Sequence, residues 1–281
     1  MFGTFTNSSH MGLRGYQEDT FVTASMEQGT LLAVFDGHGG GACSMLCSKR
    51  LVSTFMHAIE IEAAKAALSE RPTDWKEVLR LTCAALDALT NDMPYGSTAS
   101  IVFILKDESA AFIAVLGDSP VVARMTGGSI YVGPDHNVRS NENEKRAAEK
   151  RGGHYGGGYI WNNEFGSRAR GLQMGRAFGD SNMGKIVTKE PEICQIPLGS
   201  WLLVGSDGLF DPGHANTGAA IQTLAQIIDE GATARQLVNC ALAVPTGDNV
   251  TAILWRYSKW EKPSKSKSKK GRTKSPKSQQ S

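Results

Sequence analysis

The stretch Leu31-Leu32-Ala33-Val34-Phe35-Asp36-Gly37-His38-Gly39-Gly40-Gly41 decides the reading of this chain. A short unbroken apolar run has the length of a buried strand, and the aspartate and glycines that follow end it abruptly. The same arrangement recurs. Asp118 follows Ala114-Val115-Leu116-Gly117, Asp207 follows Leu202-Leu203-Val204-Gly205-Ser206, and Asp248 stands between Gly247 and Asn249, just before Val250–Trp255. Glu18 and Asp19 form a further acidic pair near the start. A strand-end aspartate has its backbone held by the sheet and its side chain at the rim, so several such ends can converge on one point. Converging carboxylates repel one another unless protons or cations neutralise them. An all-oxygen set with neither thiolates nor several imidazoles suits Mg²⁺ or Mn²⁺ rather than zinc. Any one of these motifs alone is an ordinary turn; the signal lies in the set.

Outward from that stretch, short apolar runs bounded by turn residues predict strands at Leu31–Phe35, Thr98–Leu105, Ala111–Leu116, Val121–Met125, Ser129–Val132, Trp201–Gly205 and Val250–Trp255. Lys106-Asp107-Glu108-Ser109 and Thr126-Gly127-Gly128 read as hairpin turns. Apolar residues at three- and four-residue spacing predict helices at Ala42–Ile61, Asp74–Asn91, Asn141–Arg151, Thr217–Asp229 and Ala232–Leu242, with Ser140 as N-cap of the third and Gly152 just past its end. Hairpin-linked strands separated by helix pairs argue against a doubly wound parallel sheet. They fit an α+β fold: a central antiparallel β-sandwich flanked by helix pairs, in four layers αββα.

The chain has 281 residues, 41% hydrophobic and 21% charged, with a net charge of +2. No apolar run approaches the roughly 20 residues of a membrane span, and the opening Met1-Phe2-Gly3 resembles neither a secretory signal nor a myristoylation site. The expectation is a protein of the cytoplasm and/or nucleus. The five cysteines, Cys43, Cys47, Cys83, Cys194 and Cys240, are scattered and read as buried reduced thiols. Charge is divided unevenly. Residues 262–281 hold eight Lys/Arg and no acid, leaving 22 basic residues against 28 acidic ones in the rest, a net of −6. Residues 261–281, rich in Lys, Ser and Pro, read as a solvated disordered tail behind a body of residues 1–260.

Taken in order, the motifs resemble the type 2C, metal-dependent serine/threonine protein phosphatase family. The resemblance is carried by Arg14-Gly15-Tyr16-Gln17-Glu18-Asp19, Val34-Phe35-Asp36-Gly37-His38-Gly39-Gly40, Gly96-Ser97-Thr98-Ala99 and Gly117-Asp118-Ser119. It continues through Asp135-His136, Glu144-Lys145-Arg146, Gly152-Gly153, Gly175-Arg176-Ala177-Phe178-Gly179-Asp180, Glu190-Pro191-Glu192, Ser206-Asp207-Gly208-Leu209-Phe210-Asp211 and Asp248-Asn249-Val250-Thr251, covering residues 8–256. It implies hydrolysis of phosphoserine and phosphothreonine in proteins, by a monomer, through a water shared by two Mn²⁺ or Mg²⁺ ions. Asp36 would bridge the ions, Asp207 and Asp248 would complete one shell, and Glu18 with the Gly37 carbonyl would serve the other. Asp19 would hold metal-bound water from behind, and Asp118 and Asp211, with Asp207, match positions for a weaker third ion. Arg14 would clamp the phosphate, and His38 would protonate the leaving alkoxide. The chemistry agrees: divalent ions acidify water, a guanidinium fork fits phosphate, and a serine alkoxide leaves poorly without a proton. No cysteine sits in a glycine-rich phosphate loop, which disfavours a phosphocysteine route. Two rivals stand beside this reading: a catalytically dead relative used as a binding module, and a metal-dependent hydrolase of small phosphate esters on the same fold.

The chain departs from the family pattern at Pro120, where Arg is usual, at Gly175, where Ser is usual, and in the short segment between Asp180 and Glu190. These bear on substrate selection or third-ion affinity, or are neutral. His154-Tyr155-Gly156-Gly157-Gly158-Tyr159 reads as a flexible loop near a surface flap, with substrate gating as the alternative. The tail permits three readings: an address for an import receptor, contact with an acidic surface or nucleic acid, or a solubilising end. Without an aromatic residue to stack on bases it does not read nucleic-acid sequence. Fused to an inert fluorescent protein, residues 261–281 should concentrate it in the nucleus if they are an import address; an unchanged distribution removes that reading.

Overall fold

The computed structural model describes residues 3–164, 170–211, 217–244 and 246–259; the tail of residues 261–281 lies outside them. In chain order the elements are β1 (Thr4–His10), β2 (Thr20–Ser25), β3 (Gly29–Phe35), β4 (Gly37–His38), α1 (Ala42–Leu68), α2 (Trp75–Thr90), β5 (Gly96–Ser97), β6 (Ala99–Leu105) and β7 (Ala110–Leu116). There follow β8 (Val121–Met125), β9 (Ile130–Val132), α3 (Glu142–Lys150), β10 (His154–Gly156), β11 (Tyr159–Trp161), β12 (Phe178–Gly179), β13 (Glu192–Gly205), α4 (Asp207–Phe210), α5 (Thr217–Asp229), α6 (Ala234–Leu242) and β14 (Val250–Arg256).

The α+β double-sheet architecture expected from the motif pattern is the one observed. One antiparallel sheet runs β2-β3-β6-β7 and the other contains β1, β14, β8 and β9. The long strand β13 belongs to both: Glu192–Pro197 pairs with β7, while Trp201–Gly205 pairs with β14 and β8. A register shift between Leu198 and Trp201 marks the crossing, as bulges do where a strand changes sheet.

Alternation along each strand builds the layers. Leu31, Ala33 and Phe35 of β3 pack outward with Cys47, Leu51 and Phe55 of α1 and Leu79, Cys83 and Leu86 of α2. Leu32 and Val34 point the other way, to Leu202, Val204, Ile253 and Trp255 of the facing sheet. On its far side that sheet offers Leu203, Ala252 and Leu254 to Ile221, Leu224 and Ile228 of α5 and Leu237 and Val238 of α6. Because both faces of β3 are covered, all seven of its residues are buried, which explains the unbroken apolar run in an antiparallel strand. A smaller cluster of Val138, Ala148, Ile160, Leu172, Met183 and Ile186 lies under α3 and the β10–β11 hairpin.

Several expectations are corrected. α1 continues past Ile61 to Leu68. The N-cap of α3 is Asn141, whose side chain accepts from the Asn143 and Glu144 amides; Ser140 instead donates to Asp135 at 2.9 Å. α6 starts at Ala234 after Thr233, whose amide donates to Gln236 Oε1. β1 and β2 were not legible because their exposed positions break the apolar runs. The His154–Tyr159 stretch is an ordered hairpin turning at Gly157 and Gly158, both at positive φ. Of the cysteines, Cys43, Cys47 and Cys83 are buried free thiols, but Cys194 is half-buried and Cys240 exposed.

Phe103 is fully buried, with ring centroids of Phe55 and Trp75 at 5.0 and 4.5 Å. Phe103→Ala should cost about 3–5 kcal/mol in denaturant unfolding, since the cavity lies between sheet and helices that cannot collapse onto it.

Candidate metal and phosphate site

The pairing register brings the aspartates together. β3 and β7 both run antiparallel to β6, so Asp36 and Asp118 leave the same edge of the first sheet. Val204 pairs with Val121 and Gly205 with Ala252, which sets Asp207 and Asp248 at the matching edge of the second. Hydroxyls fasten this edge. The Asp36 amide donates to Thr98 Oγ1 at 3.1 Å, the Thr98 amide returns to the Asp36 carbonyl at 2.9 Å, and Thr98 Oγ1 lies 2.8 Å from Ser119 Oγ. On the other side Ser206 and Thr251 exchange two bonds, one amide to carbonyl and one amide to Ser206 Oγ.

Gly37 follows Asp36 where nothing larger fits: a Cβ there would lie 2.8 Å from the Glu18 carbonyl oxygen and from Ser44 Oγ. Ser44 Oγ donates to that carbonyl at 2.5 Å. The loop carrying Arg14, Glu18 and Asp19 is therefore pressed against the start of α1. Its other anchor is Asn249. The buried Asn249 side chain donates to the Met11 and Tyr16 carbonyls, both at 3.0 Å, and accepts from the Glu18 amide at 2.8 Å. Asn249 was visible as a motif neighbour of Asp248, but nothing in the sequence marked it as the staple of a distant loop.

The electrostatics of this edge are strongly unbalanced. Burial pushes Asp36 well above the usual carboxylate range, and the charges of Asp19, Asp207, Asp248 and Asp118 push it further. Asp207 rises for the same reasons, burial first and then Asp118, Asp248 and Asp19. Burial raises Asp19 to about 6, against the pull of the Thr251 and Ser206 hydroxyls. Neither hydroxyl closes to hydrogen-bond geometry, so both Asp19 oxygens are enclosed without a partner, as is Asp207 Oδ1. As whole residues Asp36 and Asp207 are half-buried. Among the described residues no group of three or more His, Cys, Asp or Glu side chains stands close enough together to hold a metal ion as arranged here. The carboxylates are gathered within electrostatic reach but not drawn in. Enclosed, unpartnered oxygens and mutual repulsion fit hard divalent cations, which take carboxylate, carbonyl and water oxygens.

Arg14 is held at the rim. Its Nη2 lies 3.0 Å from Asp248 Oδ1, Nη1 3.6 Å from Glu18 Oε2, and Nε donates to the Gly247 carbonyl at 2.5 Å. His38 Nε2 is 2.7 Å from Asp180 Oδ2, and its Nδ1 has no partner. Asp180 is 3% exposed; in the sequence it stands only as the end of the motif that begins at Gly175. Asp118 accepts from Asn137 Nδ2 at 2.7 Å. With Asp207, Asp211 and Pro120 it lines a cleft of about 410 Å³ whose wall includes Arg139 and Phe210. Asp211 donates its amide to the Asp207 carbonyl at 2.7 Å. Of the departures, Pro120 is buried, with its carbonyl accepting from Gly205. Gly175 follows Met174, which packs on the small cluster under α3 and the β10–β11 hairpin; a Cβ there would stand 2.9 Å from Glu144 Oε2, and Glu144 is the partner of Arg176 at 2.6 Å.

Burial, then Asp135, raises Asp118 from 3.8 to about 6. A raised folded-state carboxylate binds more protons folded than unfolded, so stability falls as pH climbs from about 4 to 6, and the penalty is complete above that. In metal-free buffer Asp118→Asn should therefore match the parent near pH 4 and gain about 1–3 kcal/mol on it by pH 7. A difference in unfolding free energy that is constant with pH contradicts this.

Comparison with known proteins agrees with the geometry. The family model described as Protein phosphatase 2C matches residues 5–250. The chain is 32% identical over 262 residues to "Probable protein phosphatase 2C 7" of Oryza sativa subsp. japonica and 30% identical over 260 residues to "Probable protein phosphatase 2C 11" of Arabidopsis thaliana. In each case 89% of this chain is matched, and it spans 64% and 65% of those relatives. The solved serine-threonine phosphatase 2C from Toxoplasma gondii has the same fold, with a TM-score of 0.73 at 20% identity over 91% of this chain and 95% of that one. Matched along nearly all its described length in sequence and in scaffold, this chain belongs to the protein phosphatase 2C family.

Proposed function

We propose that this chain removes phosphate from phosphoserine and phosphothreonine in proteins, at a centre of two Mn²⁺ or Mg²⁺ ions held by Asp36, Asp207, Asp248, Glu18 and the Gly37 carbonyl. The observation that carries the reading is the gathering of the buried carboxylates Asp36, Asp207 and Asp19 at one edge, with both Asp19 oxygens and Asp207 Oδ1 left without a partner. When bound, such ions supply an acidified water and positive charge for the phosphate. Asp118 and Asp211, with Asp207, would take a weaker third ion from the adjoining cleft.

The chain's own residues divide the remaining work. Arg14 is tied to Glu18 and Asp248; when those carboxylates turn to cations, its fork becomes available to two phosphate oxygens. Asp180 accepts from His38 Nε2, which fixes the ring, and the imidazole would pass a proton to the seryl oxygen as its bond to phosphorus breaks. Asp19, enclosed behind Asp36, orients water by accepting hydrogen bonds. The binding-module alternative requires lost carboxylates, and Glu18, Asp36, Asp207 and Asp248 are all present. A monomer of the cytoplasm and/or nucleus, acting on phosphoproteins, completes the proposal.

Turnover of a phosphoserine peptide and of p-nitrophenyl phosphate should require Mn²⁺ or Mg²⁺, cease with EDTA, and fall at least about 100-fold in Asp36→Ala. Efficient turnover of the small ester alone would point to the small-ester hydrolase. Activity that survives EDTA overturns the metal reading.

A further inference from the structure

Lys189 lies in the short segment between Asp180 and Glu190 and has no role in the chemistry above. It is half-buried, although a lysine side chain normally keeps its ammonium in water. The ammonium donates to the carbonyl of Gly179, and its charge faces Asp180, Asp87 of α2 and Cys43 of α1. Burial lowers its pKa from the ordinary lysine value, with the two aspartates opposing.

The carbonyl it holds belongs to an unfavourable turn. Gly179 has φ of +73° and Asp180 has φ of +51° and ψ of +47°, so two consecutive residues are left-handed. A Cβ at Gly179 would lie 2.3 Å from the Tyr95 carbonyl oxygen, and Asp180 pays the steric cost that non-glycine residues meet there. This conformation aims Asp180 Oδ2 at His38 Nε2, 2.7 Å away. One side of the turn is secured by β12, which pairs Gly179 with Gly96 of β5. The Asp180 amide reaches the Tyr95 carbonyl only at 3.4 Å. Lys189 grips the other side and sets a positive charge beside the Asp180 carboxylate.

We propose that Lys189 is a positioning residue for the reaction: by holding the Gly179–Asp180 turn it aims Asp180 at His38 and so fixes the proton donor against the leaving oxygen. The inference rests on the reading of His38 given above. In that step a water oxygen bonds to phosphorus and sheds its proton to solvent while the bond from phosphorus to the seryl oxygen breaks; the electron pair of that bond stays on the seryl oxygen and the imidazolium proton moves to it, leaving inorganic phosphate, neutral imidazole and alcohol. Lys189 neither gives nor takes a proton. Removing it frees the turn, and His38 loses its fixed orientation. A substrate whose leaving group departs as a stable anion is indifferent to that loss.

The experiment compares a phosphoserine peptide with p-nitrophenyl phosphate at saturating Mn²⁺, in the full chain and in Lys189→Met, Lys189→Arg and His38→Ala. Lys189→Met keeps the stem and removes the charge. It should lower kcat on the peptide about 10- to 100-fold, with KM within about threefold, while leaving kcat on p-nitrophenyl phosphate nearly unchanged. Lys189→Arg should recover most of the loss. An equal fall on both substrates, or no fall on either, in a variant whose thermal midpoint shows a folded protein overturns the proposal. If Lys189→Met does not fold, Lys189→Gln is measured against the same criteria. His38→Ala separates the two ideas. If it fails to slow the peptide selectively, the reading of His38 falls; if it does so and Lys189→Met does not, the role of Lys189 alone falls.

Discussion

Five aspartates gathered at one edge of a double sheet set the constraint on which the rest of this molecule depends. Asp19, Asp36, Asp118, Asp207 and Asp248 feel one another's charge, and enclosure among protein atoms strengthens the repulsion that water would otherwise screen. An arrangement of this kind does not assemble for its own stability. It persists because the surrounding structure over-determines it, as strained functional sites generally require. Thr98, Ser119, Ser206 and Thr251 hold the strand ends by hydroxyl bonds, and Asn249 fastens the loop that brings Glu18 and Asp19 alongside.

The scaffold supplies the rigidity for that. Each sheet is covered on both faces, so a strand cannot slide without moving every second side chain out of one apolar layer and into another. β13 removes the remaining freedom, because its two halves belong to different sheets and lock their separation and twist. Fixed strand ends then act as fixed mounts for side chains. The flap follows a different economy. Its small cluster under α3 and the β10–β11 hairpin holds fewer buried apolar residues than the three main clusters, and polar links such as Arg176–Glu144 and Lys189 to the Gly179 carbonyl tie it together.

Much of the fold and most of the candidate site residues were legible in the residues. A strand buried on both faces writes itself as an unbroken run such as Leu31–Phe35, and hairpin glycines announce their turns, so the antiparallel sandwich and its helix pairs could be read. β1 and β2 escaped because half-exposed edge strands mix polar and apolar residues without a clean period. The proposed metal ligands stood out as carboxylates that end strands beside glycine. The residues that position them, and Asp180, which orients His38, did not. Asn249, Thr98 and Asp180 act across long sequence separations, and a buried amide or hydroxyl looks the same in a sequence as an exposed one.

For Asp36 the division is clear. Local sequence alone determined that an aspartate would stand at the mouth of a rigid strand, because the apolar run before it and the glycines after it permit little else. Which other charges it would face was decided only by tertiary structure, since that depends on contacts between segments more than 200 residues apart in the chain, such as the Glu18 amide and the Asn249 side chain. The same holds for His38, whose ring is oriented by Asp180 and, through the turn, by Lys189. Chain order carries no record of that contact, because it exists only once both sheets and the flap have closed on the site.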